Sequence, residues 1–276
     1  VMVRPERVVV GKTMRMAKAS ALLVVACGLG VHSQAQEIQG QGPVQVQGTV
    51  QGKVQLDQKH VAAATATTEL AHKKAVNAKQ LGEQLLKYAS VGDEVAVRKL
   101  LARDAPVNVH DAQGNTPLLL ATAGNHIEVA RSLILAGANV NLQNKQQDSA
   151  YLLAGARGYL EILRMTLTRG ADLKSTNRYG GTALIPACER GHVETAKTLI
   201  DAGVDVNHVN RLGWTCLMEA VVLSDGGPAH QQIVRDVIAA GADVNLADRE
   251  GVTPLAHARQ RGQTAMAELL SAAGAR

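Results

Sequence analysis

GNTPLLLATAGNHIEVARSLILAGANVNLQNKQ, residues 114–146, is a stretch of 33 residues whose grammar recurs along the chain. Thr116 stands where a hydroxyl can cap free backbone N–H groups, and Pro117 fits the first helical turn, where no N–H is missed. Asn125 takes the place of a glycine that would end that first helix with positive φ. Ile127, Val129, Ala130, Leu133 and Ile134 then fall at helical spacing and predict a second, amphipathic helix. Gly137-Ala-Asn-Val-Asn141 closes the unit with a turn.

The same frame fits the neighbouring sequence. Residues 147–179 and 180–212 have the same length, 213–250 carries an insertion of five, and 251–276 is a shorter last copy. Residues 81–113 hold a degenerate first copy with Gly92-Asp93 and Val107-Asn-Val109. Helix starts repeat at Thr182, Thr215 and Thr253, and first-helix ends at Gly158, Gly191 and Gly262. One such unit cannot bury its apolar face alone, so neighbours must stack into a continuous core.

These blocks resemble ankyrin repeats, which read G-x-T-P-L, then G-H, then G-A-D-V-N. The resemblance covers about residues 81–276 and implies an all-α solenoid of about six helix-turn-helix units with projecting β-turn tips. It also implies a concave face that binds proteins. No catalysis and no cofactor are expected. The wording of the repeats is closest to exported bacterial ankyrin proteins.

The N-terminal sequence agrees with export. Lys18 precedes an apolar run from Ala19 to Val31, and Ser33 and Ala35 supply small residues for cleavage after Ala35. Residues 1–35 therefore read as a signal peptide with a start-site extension, and the protein as periplasmic or secreted. The alternative is lipidation of Cys27, which follows Val24-Val25-Ala26 and would tether the protein to a membrane. Residues 36–59 are rich in Gln and Gly and read as a low-complexity linker, and residues 60–80 as a helical lead-in.

Charge loses its meaning once the leader is set aside. The net charge is +5, but Arg4, Arg7, Lys12, Arg15 and Lys18 against Glu6 put +4 in the first 35 residues. A remainder near +1 gives no support to nucleic-acid binding. The chain has no Phe and one Trp, which suits close-packed small helices. A monomer is expected.

The expected binding surface is the turn tips. Arg178, Tyr179, Arg211 and Trp214 fall at nearly corresponding places in adjacent units, and aromatic and arginine residues are enriched at interface hot spots. Lys145 and Arg249 take equivalent tip positions. The insertion in 223–230 adds a loop on one rim.

Three further expectations concern the interior. The mid-helix position that is Leu120 and Leu153 becomes Pro186, Glu219 and His257, and stacking would bring Glu219 beside His257 as a structural pair. Pro186 loosens its helix. Cys188 and Cys216 are offset by about five residues along neighbouring helices, roughly 7.5 Å of rise, so both are expected as free thiols. No catalytic or metal-ligand spacing stands out, and His126, His192 and His230 lie a repeat or more apart. The expected function is an exported adaptor for an unidentified envelope protein. An inhibitor or immunity-type protector is the alternative, and a hydrolase is disfavoured.

Overall fold

The computed structural model describes residues 50–276. The stretch read as a signal peptide, the expected cleavage point at Ala35, Cys27 and residues 36–49 of the expected linker lie outside the described residues. Residues 56–276 form one compact unit.

Among the described residues the helices form six pairs, in the order of the six predicted repeats. They are α1 Val50–Val91 with α2 Glu94–Leu101, α3 Pro117–Ala123 with α4 Ile127–Leu135, and α5 Ala150–Arg157 with α6 Leu160–Leu167. Then come α7 Leu184–Glu189 with α8 Val193–Asp201, α9 Cys216–Val222 with α10 Pro228–Ala239, and α11 Pro254–Gln260 with α12 Thr264–Ala272. No strand forms among the described residues. Helix α1 starts inside the stretch read as linker, ten residues before the predicted lead-in. Leu81, Leu85 and Ala89, one turn apart, are its buried face against the first repeat.

The local causes are those the sequence offers. Thr116, Ser149, Thr215 and Thr253 each accept a hydrogen bond from the backbone N–H three residues on, at 3.1, 3.2, 3.2 and 3.3 Å. Asn125 adopts φ 51°, as its glycine-like role requires. His126 and His230 reach back to the carbonyls of Ser90 and Glu189, at 3.3 and 3.0 Å, and so clasp the end of the preceding unit's first helix. The insertion is absorbed between α9 and α10, where Gln231 and Gln263 bond the loop carbonyls of Gly226 and Ser224.

The core is a set of columns, one residue per repeat. Leu118, Tyr151, Leu184, Leu217 and Leu255 occupy one register and all are at most 1% exposed. A second layer of hydrogen bonds ties the turn regions together. The Asn that ends each tail accepts the backbone N–H of the next unit: Asn108 from Asn139, Asn141 from Asp172, Asn207 from Asp243 and Asn245 from Arg276. Lys174 stands at this position in the third unit and cannot accept.

Two expectations fail in the fourth and fifth units. Thr182 does not cap its helix: α7 starts only at Leu184, and the buried Thr182 hydroxyl has no hydrogen-bond partner. The cause is Pro186. In the other units the residue at this position donates to the carbonyl of the cap, as Leu120 does to Thr116 at 2.9 Å and Glu219 to Thr215 at 3.0 Å. Proline has no N–H to give, so the first turn opens and α7 is six residues long.

Cys188 and Cys216 are not free thiols but a disulfide, with Cα atoms 5.5 Å apart and both side chains buried. The offset of five residues along the helix does not separate them, because successive first helices are displaced along their axes rather than stacked level. The preceding interface shows the same approach. There Gly155 and Ala183, the register equivalents of the two cysteines, lie so close that a Cβ on Gly155 would sit 2.8 Å from that of Ala183.

Candidate functional site

Each turn tip is built around one side chain. Asn144, Asn177, Asn210 and Asp248 occupy equivalent places, and each accepts backbone N–H groups two and four residues further on. This spends one side-chain oxygen of each on the turn and leaves the following residues to face outward.

Between the tips and the first helices of units 3 to 5 lies a groove of about 510 Å³. Its floor includes Leu153, Pro186 and Glu219, the same register position in three successive units. Arg157 and Arg190 line one end, and Arg178 with Tyr179 the tip side. Pro186 and the unusual residue Glu219 are thus both floor residues, and the short α7 lies at the centre of the groove.

Glu219 is 6% exposed, and burial pushes its carboxyl up to about 7, helped by the charge of Glu189. The Asn210 amide, donating at 2.7 Å, and the Arg190 charge oppose that shift. The pairing with His257 expected from stacking is not made. Each residue bonds to its own tip, nine residues earlier: Glu219 to Asn210, and His257 to Asp248 at 2.7 Å. The side chain of a first helix points to the turn that precedes it, so the partner comes from within the unit. The His257 bond holds the Asp248 carboxyl below its usual range.

The predicted tip residues are only partly brought together. Arg178 stacks on Tyr179 at 4.7 Å and pairs with Asp148 at 3.5 Å, and burial raises the Asp148 carboxyl despite Arg178 and Arg157. Arg211 joins them, donating from its backbone to the Tyr179 carbonyl at 2.9 Å and from its guanidinium to the Arg178 carbonyl at 2.7 Å. Trp214 is half-buried, is held at its backbone by Asn210, and is not among the groove-lining residues. Lys145 lies on the tip one unit before Arg178 and lines a separate hollow of about 300 Å³ with Leu142 and His110. Arg249 is exposed at the fifth tip. The groove floor escaped the sequence reading. Its signal was the shared register of Leu153, Pro186 and Glu219, read there as a core position.

A family model of ankyrin repeats, in three copies, matches residues 59–144 and 151–248, more than half of the chain. The chain belongs to the ankyrin-repeat family. An ankyrin repeat domain from Acinetobacter baumannii, solved by crystallography, is 56% identical, with TM-score 0.68 over 70% of this chain and 98% of that one. A second solved ankyrin repeat protein, EF0377, is 41% identical, with TM-score 0.67 over 69% of this chain and 97% of that one. The ankyrin repeat domain of Bcl-3, a member of the IκB family, is 27% identical, with TM-score 0.63 over 70% and 86%. A shorter match is an ankyrin repeat protein of Rickettsia felis, 36% identical over 56 residues, covering 20% of this chain and 89% of that protein. Ankyrin repeats are protein-interaction units, and the architecture here is that of an interaction scaffold.

Proposed function

We propose that this ankyrin protein is an exported, non-enzymatic adaptor that holds an envelope protein in the groove over units 3 to 5. The observation that carries the reading is the groove itself. It is the place where the repeat abandons its regular helix start, and it is flanked by the exposed residues Tyr179, Arg157, Arg178 and Arg190. Tyrosine and arginine contribute heavily to binding when a partner covers them. The export part rests on the leader and gains support from the Cys188–Cys216 disulfide, since disulfides persist in oxidising compartments and are rare in the cytosol.

The test is affinity capture from the envelope fraction with wild-type protein and with Tyr179→Ala combined with Trp214→Ala. Capture should fall with no change in helical content, and undiminished capture would sink the proposed surface. Intact mass of the protein recovered from that fraction distinguishes cleavage after Ala35 from lipidation at Cys27. A full-length cytosolic product would remove the export reading.

A further inference from the structure

Lys145, Arg178, Arg211 and Arg249 occupy one register position in four successive tips, at separations of 33, 33 and 38 residues. The larger step contains the insertion. Their orientation is set by the unit before. The stem of Arg211 lies over Gly180, where a Cβ would come within 2.9 Å of its Cγ, and that of Arg249 lies over Gly213 in the same way, at 2.7 Å. Both glycines hold positive φ, 75° and 87°, so the turn and the cation above it are one device. The next residue outward is Gln146, Tyr179, Leu212 and Glu250 in turn. Tyr179 and Leu212 are 57% and 54% exposed. The four tips therefore present a row of cations with an apolar centre and polar ends.

We infer that this row binds an extended acidic segment of a partner protein, with carboxylates on the four cations and apolar side chains on Tyr179 and Leu212. This deepens the scaffold reading and rests on it. Packed helices lie about 8–10 Å apart, and an extended chain rises about 3.3 Å per residue. One unit thus matches about three residues, and the fitting segment carries an acidic residue at every third position. Arginine meets a carboxylate through two parallel hydrogen bonds, which fixes register as well as charge.

A nucleic acid fits less well. Its phosphates put a charge at every step, about 3.4 Å of rise along each strand, and Asp148 and Glu189 line the groove beside the row, where they repel the charges that fall between the cations. A membrane surface is flat, whereas the row borders a groove.

The probe is a labelled 12-residue peptide with Asp at every third position and Leu after each Asp, titrated against the full chain by fluorescence anisotropy. Binding should appear, weaken as salt rises, and vanish when Asn replaces Asp. Arg211→Gln and Arg249→Gln keep the stems over their glycines, and each should weaken binding about tenfold. Arg131→Gln, on the exposed side of α4, should leave it unchanged. No binding, equal binding of the Asn peptide, wild-type binding by both Gln variants, or tighter binding of a single-stranded oligonucleotide or of anionic phosphatidylserine vesicles would each overturn the inference. If the peptide fails while envelope capture still depends on Tyr179, the acidic ligand is wrong and the scaffold stands. If both fail, the scaffold reading falls too.

Discussion

The second and fourth repeats have the same length and the same connections, yet they are held by different means. In the second, Thr116 caps α3, Pro117 opens it, Leu120 fills the mid-helix position, and Asn108 and Asn141 tie the turns to their neighbours. In the fourth, Thr182 caps nothing, Pro186 replaces the leucine, and the unit before it offers Lys174 in place of the tying Asn. A disulfide to the fifth repeat stands at the seam that follows. The difference teaches that a solenoid tolerates a locally irregular unit when its neighbours hold it, and here the groove is centred on that unit.

Breaking the disulfide should show this most strongly. Replacing Cys188 and Cys216 together by Ala removes a cross-link between residues 28 apart, and a loop of that size contributes about 3.5 kcal/mol. Chemical denaturation of the variant should show that loss. Reducing agent should destabilise the wild type by a similar amount and leave the variant unaffected.

Next in size is the carboxyl on the groove floor. Glu219 has a folded pKa near 7, above its ordinary 4.5, so the folded protein holds its proton more tightly than the unfolded chain. Its charge therefore costs nothing below about pH 4.5, and stability is lost as pH rises from there through 7. Glu219→Gln keeps an acceptor for Asn210 and removes the charge. It should leave the melting temperature unchanged at pH 4 and stabilise the protein at pH 8 by up to about 3 kcal/mol.

Cap deletions sharpen the contrast between the two units directly. Thr116→Ala should cost about 1 kcal/mol, the usual worth of an N-cap, whereas Thr182→Ala should cost nothing, because its hydroxyl has no bond to lose. Equal losses in denaturant melts would mean that the fourth helix is capped after all. The smallest effect belongs to the turns. Lys174→Asn supplies the acceptor missing at the third tail, toward Asp205, and should add about 0.5 kcal/mol together with slower amide exchange at Asp205.

Repeat length, the helix starts other than that at Thr182, glycine turns and a stacked core were legible because each follows from a residue-level rule repeated in register. The contrasts between units were harder to read. Pro186 announced a loosened helix, but not that it would idle Thr182, since that depends on which carbonyl the missing N–H had served. The disulfide was misjudged because sequence register gives position along a helix and not the displacement between neighbouring units. Glu219 and His257 were assigned to each other because the reading placed first-helix side chains toward the next unit, when they point to their own turn. The tip cations were visible from the start, but the groove beside them is a property of three stacked units and appears in none of them singly.

The most direct test of the account places a photo-crosslinking amino acid at Leu153, on the groove floor, and separately at Leu135, which is 68% exposed at the end of α4 and is not a groove residue. After irradiation of the envelope fraction, a protein partner should be joined to the chain from position 153 and not from 135. A partner captured from 135 alone would contradict the groove as the binding face.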